Sequence, residues 1–296
     1  MTIELPHRFG RYTLVEKLAQ GGMAEIYRAR YEGEGGFVKP VAIKRILPTW
    51  SDDPEFVRLL IDEAHALAYL QHQNIVQVYE LGKDGAAYFI AMEFVPGVDC
   101  RTLLRRLRER QAVLHDGFAL FLLAEVLKGL AFAHAQTGAR GEAMRFVHRD
   151  ISPQNILLSF HGEVKIADFG IAKGMHRHEQ TAIAQLKGKY AYMAPEQAMA
   201  MPVDARADIF SAGVVGYELL TGQPCFDGPS DLAVLERVKQ AGLVPGWERQ
   251  FPPVLRAVLR RALARDPEER YSTAQVFLDE ILRYITTQRL FIHGFE

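Results

Sequence analysis

The sequence predicts an α+β chain of two lobes: a small antiparallel β lobe carrying one main helix, then a larger, mainly helical lobe. Strand-type runs dominate residues 11–93, helix-type runs dominate from residue 100 onward, and Val95-Pro96-Gly97 breaks the pattern between them. A chain of 296 residues, 49% of them hydrophobic, is long enough to bury a sizeable core as one two-lobed unit or two small domains. The expected boundaries are 1–95 for the N-terminal lobe, 96–287 for the C-terminal lobe and 288–296 for a tail.

Within the first lobe, Tyr12–Leu18, Glu25–Arg30 and Val38–Ile46 read as strands joined by glycine-rich connections. Asp53-Pro54 then opens a helix in the preferred way, an acid at the N-cap and proline at the first helical position. Phe56, Leu60, Leu67 and Leu70 form one stripe at helical spacing, and Glu63 falls on the same stripe. A carboxylate on an apolar face is costly without a partner. Glu63 therefore either sits at the edge of the stripe or meets a cation, for which Lys44 in the run VAIK is the candidate. Two more strands, Val76–Leu81 and Ala87–Glu93, complete the lobe. Helices are expected near 100–110, 117–136, 206–221, 230–240, 252–264 and 273–287, the last opened by Ser272 and Gln275 as a capping-box pair. No internal repeat or low-complexity linker is visible, and the sequence stops soon after the last helix, which leaves no room in it for a sensor domain.

The net charge of −1, with both signs interspersed, argues against nucleic acid or an anionic membrane surface as partner. The arginine-rich run Arg101 to Arg110 reads as a solvated helix face. Cys100 and Cys225 lie in apolar surroundings without metal-type spacing and read as reduced thiols, which suits a cytoplasmic protein. No signal peptide is evident. The most apolar run, Phe118 to Ala133, carries Glu125 and Lys128 and is short for a bilayer, so a buried helix of a soluble chain is expected.

The most informative stretch is FVHRDISPQNILLS at 146–159, followed by ADFG at 167–170. It sets Arg149, Asp150, Asn155 and Asp168 among apolar residues of strand type. An acid placed to take a proton, an amide five residues on and a second acid beyond a short hairpin make a metal-nucleotide site. With VAIK ahead of it and MAPEQ at 193–197 behind, this ordering resembles the eukaryotic-like Ser/Thr protein kinases of bacteria, from about Phe9 to about Tyr284.

The resemblance implies a two-lobed protein-kinase fold, ATP and Mg²⁺ (or Mn²⁺) as cofactors, and a protein substrate. It implies that Lys44 holds the α- and β-phosphates and pairs with Glu63. Asp168 and Asn155 would hold the metal, and Asp150 would accept the substrate's hydroxyl proton. His148 would pack as a structural residue beside Phe169 and not act as the base. For the nucleotide it implies Ile26 and Ala42 on one face of the adenine and Leu157 on the other. Met92 would be the gatekeeper, Glu93 and Val95 would offer backbone hydrogen bonds, and Asp99 would bind the ribose. Glu196 would pair with Arg270, and Asp208 would hold the catalytic-loop backbone. The APE-type segment favours a protein over a small-molecule substrate.

Two departures from the family pattern stand out. In the phosphate loop, LAQGGMAEIY at 18–27, glycines are expected at Ala19, Gly21 and Ala24, and only the middle one is present. Gln20 and Gly22 flank it, Gly22 restoring some freedom, and slower or weaker nucleotide handling is expected. Second, a lysine is usual two residues after the catalytic Asp, where this chain has Ser152; where a threonine is usual after Gly188, it has Lys189. Either Lys189 reaches the γ-phosphate and bonds Asp150 or Ser152, or it faces solvent and the cation is missing. Arg149 beside Asp150 resembles kinases switched by activation-loop phosphorylation, and Thr181 is the only Ser or Thr between Phe169 and Ala194. Phosphorylation in trans, through a transient homodimer, is the expected route. The alternatives are a nucleotide-binding pseudokinase or scaffold, suggested by Ala19, Ala24 and Ser152, a small-molecule kinase, and tyrosine specificity.

Overall fold

Residues 4–138, 141–169 and 190–290 are described by the computed structural model, apart from the side chains of Glu63 and Ala66. The chain divides into two units, Met1–Pro96 and Gly97–Glu296.

The first unit is built on a six-stranded antiparallel sheet in the order β1-β2-β3-β4-β6-β5. Its strands are β1 (His7–Phe9), β2 (Tyr12–Gln20), β3 (Ala24–Glu32), β4 (Val38–Ile46), β5 (Val78–Asp84) and β6 (Ala87–Glu93). Strand alternation sends Phe9, Tyr12, Tyr27, Ile43 and Phe89 into one apolar cluster. There the rings of Phe9 and Phe89 meet edge-on at 5.1 Å. The sequence does not reveal β1, which is too short for a period to register, and it begins β5 two residues early at Val76. A short helix, α1 (Pro48–Ser51), leads into α2 (Pro54–Ala68). As expected, Asp53 Oδ1 caps α2, accepting from the Glu55 and Phe56 amides at 2.9 and 3.2 Å. Phe56, Leu60 and Leu67 are buried along its stripe, with Leu70 just past its end.

The second unit opens with a three-stranded sheet, β7 (Gly97–Asp99), β8 (Ile156–Ser159) and β9 (Val164–Ile166). Its helices are α3 (Cys100–Glu109), α4 (Asp116–His134), α5 (Pro195–Ala198), α6 (Ala205–Thr221), α7 (Asp231–Lys239), α8 (Pro253–Ala262) and α9 (Ala274–Gln288). Every residue of α6 from Ala207 to Leu220 is buried, so this helix is the axis of the unit. α4 packs against α6 and α9. It has 19 residues, longer than the apolar run Phe118 to Ala133, and with a mean hydropathy of 1.5 it is by length and composition alone enough to cross a membrane. Burial makes it a core helix: 67% of its apolar window lies inside the unit.

The capping expectation for α9 needs correction. The N-cap is Thr273, whose hydroxyl accepts from the Val276 amide at 3.2 Å, and Gln275 instead donates to Asp279 at 2.8 Å. Ser272 and Thr273 both suit an N-cap chemically, and packing of the helix selects the register. Burial pushes the Cys100 and Cys225 thiols well above the usual range, with the Asp99 and Glu218 charges adding to the effect at Cys100 and Glu218 at Cys225. They are protonated core residues, as their setting in the sequence suggests.

Candidate active site

The loop from Phe146 to Asn155 hangs from one carboxylate. Asp208 is fully buried in the first turn of α6. It accepts the His148 amide at 2.7 Å, the Arg149 amide at 2.8 Å and the His134 ring Nε2 at 2.8 Å. A carboxylate with three donors is satisfied without solvent. Arg149 sits at φ 64, a left-handed conformation that costs a non-glycine residue on the order of 1–2 kcal/mol. Two bonds fix it there: its amide to Asp208, and its carbonyl, which accepts Gln197 Nε2 at 3.0 Å. The twist sets the direction of the next residue, Asp150.

His148 is sealed from solvent and holds the loop's interior. Its Nδ1 accepts the Asp150 amide at 3.2 Å, so the ring proton lies on Nε2, which donates to the Ala167 carbonyl at 3.1 Å. Its ring centre is 4.4 Å from that of Phe169. With both nitrogens engaged, this histidine is a strut between 148–150 and 167–169 and is poorly suited to proton transfer.

Asn155 completes the cluster. Its Nδ2 donates to the Asp150 carbonyl at 2.7 Å and to Asp150 Oδ2 at 2.8 Å, orienting the carboxylate. The Asn155 carbonyl accepts the Ala167 amide at 2.8 Å, and β8 pairs with β9 through Ile156 and Ile166. The hairpin thus sets Asp168, itself left-handed at φ 57, beside Asn155. Ser152 is buried, and its hydroxyl has no hydrogen-bond partner among the described residues.

The donor set fits a hard divalent cation. Asn155 uses its amide N–H groups on Asp150, which leaves its amide oxygen, like the carboxylate of Asp168, as an oxygen donor of the kind such a cation takes. Mg²⁺ keeps several waters and needs only one or two protein oxygens besides substrate phosphates, and Mn²⁺ accepts the same ligands. Among the described residues no group of three or more His, Cys, Asp or Glu side chains forms a stand-alone metal cage, as a site of that kind does not require one.

Glu196 in α5 and Arg270 form the second anchor. Arg270 Nη1 and Nη2 each donate to a different Glu196 oxygen at 2.7 Å. The remaining guanidinium donors reach the Ala264, Arg206 and Arg265 carbonyls at 2.8–3.0 Å, and the Phe210 ring lies 4.9 Å beneath. All five donors are satisfied around a side chain of 0% exposure. Nearby, Tyr192 donates to Glu218 at 2.5 Å; burial first and that carboxylate second raise its pKa. Glu218 also pairs with Arg108.

Asp99 and Leu157, expected around the nucleotide, are direct cross-strand partners on β7 and β8. Asp99 also caps α3, accepting the Thr102 amide at 2.7 Å and the Thr102 hydroxyl at 3.1 Å. In the first unit Ile26 pairs with Lys44, Lys44 with Ile90, and Ala42 with Met92. Cross-strand partners share a face, so Ile26, Ala42, Lys44 and Met92 line the side of the sheet opposite the apolar cluster. The Glu93 amide donates to the Gln77 carbonyl at 2.8 Å, which removes one of the backbone groups expected to be on offer there. Val95 lies between β6 and β7. Ala19 and Gln20 end β2 and Ala24 begins β3, with Gly21 and Gly22 in the turn between them. Neither alanine has positive φ, so the backbone freedom of glycine is not needed at 19 or 24.

Thr181 and Lys189 lie outside the described residues, as does the Glu63 side chain. Sequence reasoning missed His134, Gln197 and Tyr192. Gln197 directly follows Glu196, but nothing local marks it as the bond that holds Arg149, and His134 reads as an ordinary helix-end residue.

The protein kinase domain family matches residues 12–282, and the chain belongs to it. It is 44% identical over 286 residues to the tyrosine-protein kinase MasK of Myxococcus xanthus, covering 96% of this chain and 44% of that protein. It is 32% identical over 283 residues to the serine/threonine-protein kinase PrkC of Bacillus subtilis, covering 95% of this chain and 41% of that one. The chain therefore spans less than half the length of these curated relatives. Among solved structures, the PknI kinase domain of Mycobacterium tuberculosis matches with a TM-score of 0.69 and 28% identity, covering 95% of this chain and 99% of that one.

Proposed function

We propose that this chain transfers the γ-phosphate of ATP to serine and threonine hydroxyls of proteins, using Mg²⁺ or Mn²⁺, on the cytoplasmic side of the cell. The observation that carries the reading is the Asp150–Asn155 pair, oriented by direct hydrogen bonds and set beside Asp168 in a loop suspended from buried Asp208. A bound Mg²⁺ supplies charge neutralisation on the phosphates, and Asn155 and Asp168 hold it. Lys44 holds the α- and β-phosphates and pairs with Glu63. Asp150 accepts the acceptor's hydroxyl proton as the new O–P bond forms and the bond from the γ-phosphorus to the bridging oxygen breaks, releasing ADP. Positioning supplies most of the rate in such a reaction. On the first unit Ile26, Ala42 and Met92 meet the adenine; on the second Leu157 meets the adenine and Asp99 bonds the ribose.

Lys189 supplies the ammonium that the family usually carries at the position of Ser152, and Thr181 is the site of activating autophosphorylation between two transiently paired copies. The protein substrate binds at the 510 Å³ cavity lined by Pro153, Tyr190, Tyr192 and Asp231, which adjoins the catalytic loop through Pro153. A second reading, transfer to tyrosine, draws on the printed name of the Myxococcus relative and on the missing catalytic-loop lysine.

Phosphatase-treated protein incubated with Mg²⁺ and ATP is expected to gain phosphate mass, mapping to Thr181, and Asp150→Asn is expected to gain none. Phosphotyrosine in place of phosphothreonine would select the second reading. No gain in the wild type, with nucleotide still bound, would identify a pseudokinase.

A further inference from the structure

The turn joining β2 to β3 is held from outside by the segment that follows β4. Gly21 closes it with its own amide, donating to the Ala24 carbonyl at 2.8 Å. The Met23 carbonyl accepts the Leu47 amide at 2.9 Å. The Gly22 carbonyl accepts the indole Nε1–H of Trp50 at 3.0 Å. Trp50 is fixed in turn by the short helix α1 and by the Phe56 ring on α2, 5.1 Å away centre to centre.

A peptide unit is planar and trans, so its carbonyl and the next residue's N–H point in opposite directions. By holding the Gly22 carbonyl, Trp50 turns the Met23 N–H to the opposite side of the turn. That amide has no backbone acceptor among the described residues. A backbone N–H with its direction fixed and its bonding capacity open is the element from which anion-binding turns are made.

We infer that Trp50 is a positioning residue for nucleotide phosphate: its indole N–H locks the Gly22–Met23 peptide so that the Met23 amide is presented to an anion. The inference rests on the reading of residues 18–27 as the phosphate loop.

Trp50→Phe tests it, because phenylalanine keeps a ring beside Phe56 and removes the N–H donor, while adenosine binding and the unfolding midpoint report the ring area lost with it. Dissociation constants for ATP and for adenosine, which lacks phosphates, are measured by calorimetry on wild type, Trp50→Phe and Lys44→Met, with unfolding midpoints alongside. Loss of one oriented hydrogen bond predicts about a three- to tenfold weaker ATP affinity for Trp50→Phe, with adenosine affinity unchanged. Equal weakening of ATP and adenosine would mean a general structural role, and unchanged ATP binding would mean no role; either overturns the inference. Wild type that binds ATP in a Lys44-dependent way while Trp50→Phe matches it sinks the clamp alone. Wild type that binds ATP no better than adenosine, with Lys44→Met no different, overturns the phosphate-loop reading as well.

Discussion

The loop 148–155 and the turn 21–23 are held by opposite means. In the C-terminal unit a carboxylate with no solvent exposure gathers two backbone amides and a histidine. In the N-terminal unit the turn depends on single bonds from Leu47 and from a half-buried Trp50. A buried, fully bonded group is expensive to disturb, because its partners lose their bonds with no water to replace them. A bond at the rim exchanges with water cheaply. Under the proposed function, a loop that holds a proton acceptor in one orientation gains from the first arrangement, and a turn that admits and releases nucleotide gains from the second.

The strongest way to break that comparison is at Arg270. Arg270→Met leaves Glu196 buried without its partner, and a loss of about 3–5 kcal/mol is expected in denaturant unfolding. Replacing both members by apolar residues should recover part of it, since the stranded charge and not the missing attraction carries the cost. A double variant as unstable as the single one would show instead that the three carbonyl bonds of Arg270 dominate.

Asp208→Asn comes next. One carboxylate oxygen becomes an N–H₂ group facing donors, which should cost about 2–4 kcal/mol and free Arg149 from its left-handed conformation. Phosphate transfer should fall further than stability does, because Asp150 follows directly from that twist. An active, merely less stable variant would show that Gln197 is sufficient to hold Arg149.

The smallest effect is expected in the N-terminal unit. Burial pushes the Glu25 carboxyl up, but bonds from Lys17 and Tyr27, the Lys17 charge and the Arg45 bond outweigh it and leave the pKa below its usual 4.5. Burial and the neighbouring carboxylate push the Tyr27 hydroxyl up to about 12. A depressed carboxylate pKa stabilises the fold above the unfolded value, and that contribution is lost as pH falls through the folded value. Glu25→Gln should therefore cost about 1–2 kcal/mol at neutral pH, and the gap to wild type should narrow in thermal unfolding as pH falls below the carboxyl's usual 4.5. A gap independent of pH would mean that shape and not charge matters at Glu25.

Much of this was legible in the chain itself. Strand and helix periods gave five of the strands and the long helices, and the order of Lys44, Asp150, Asn155, Asp168 and Glu196 pointed to the family that matches residues 12–282. What escaped has a common physical cause. β1 and β7 are three residues each, too short for any period to show. Thr273, one of two adjacent residues suited to the cap, is chosen by how α9 packs.

His134, Gln197 and Trp50 matter through partners 74, 48 and 28 residues away, and no local pattern encodes a contact at that separation. The sequence by itself determined which chemical groups are present and their order along the chain, because residue type fixes donor, acceptor and charge. Only the tertiary structure decided their orientation, because direction is set by long-range hydrogen bonds that exist once the chain has closed around Asp208 and Arg270.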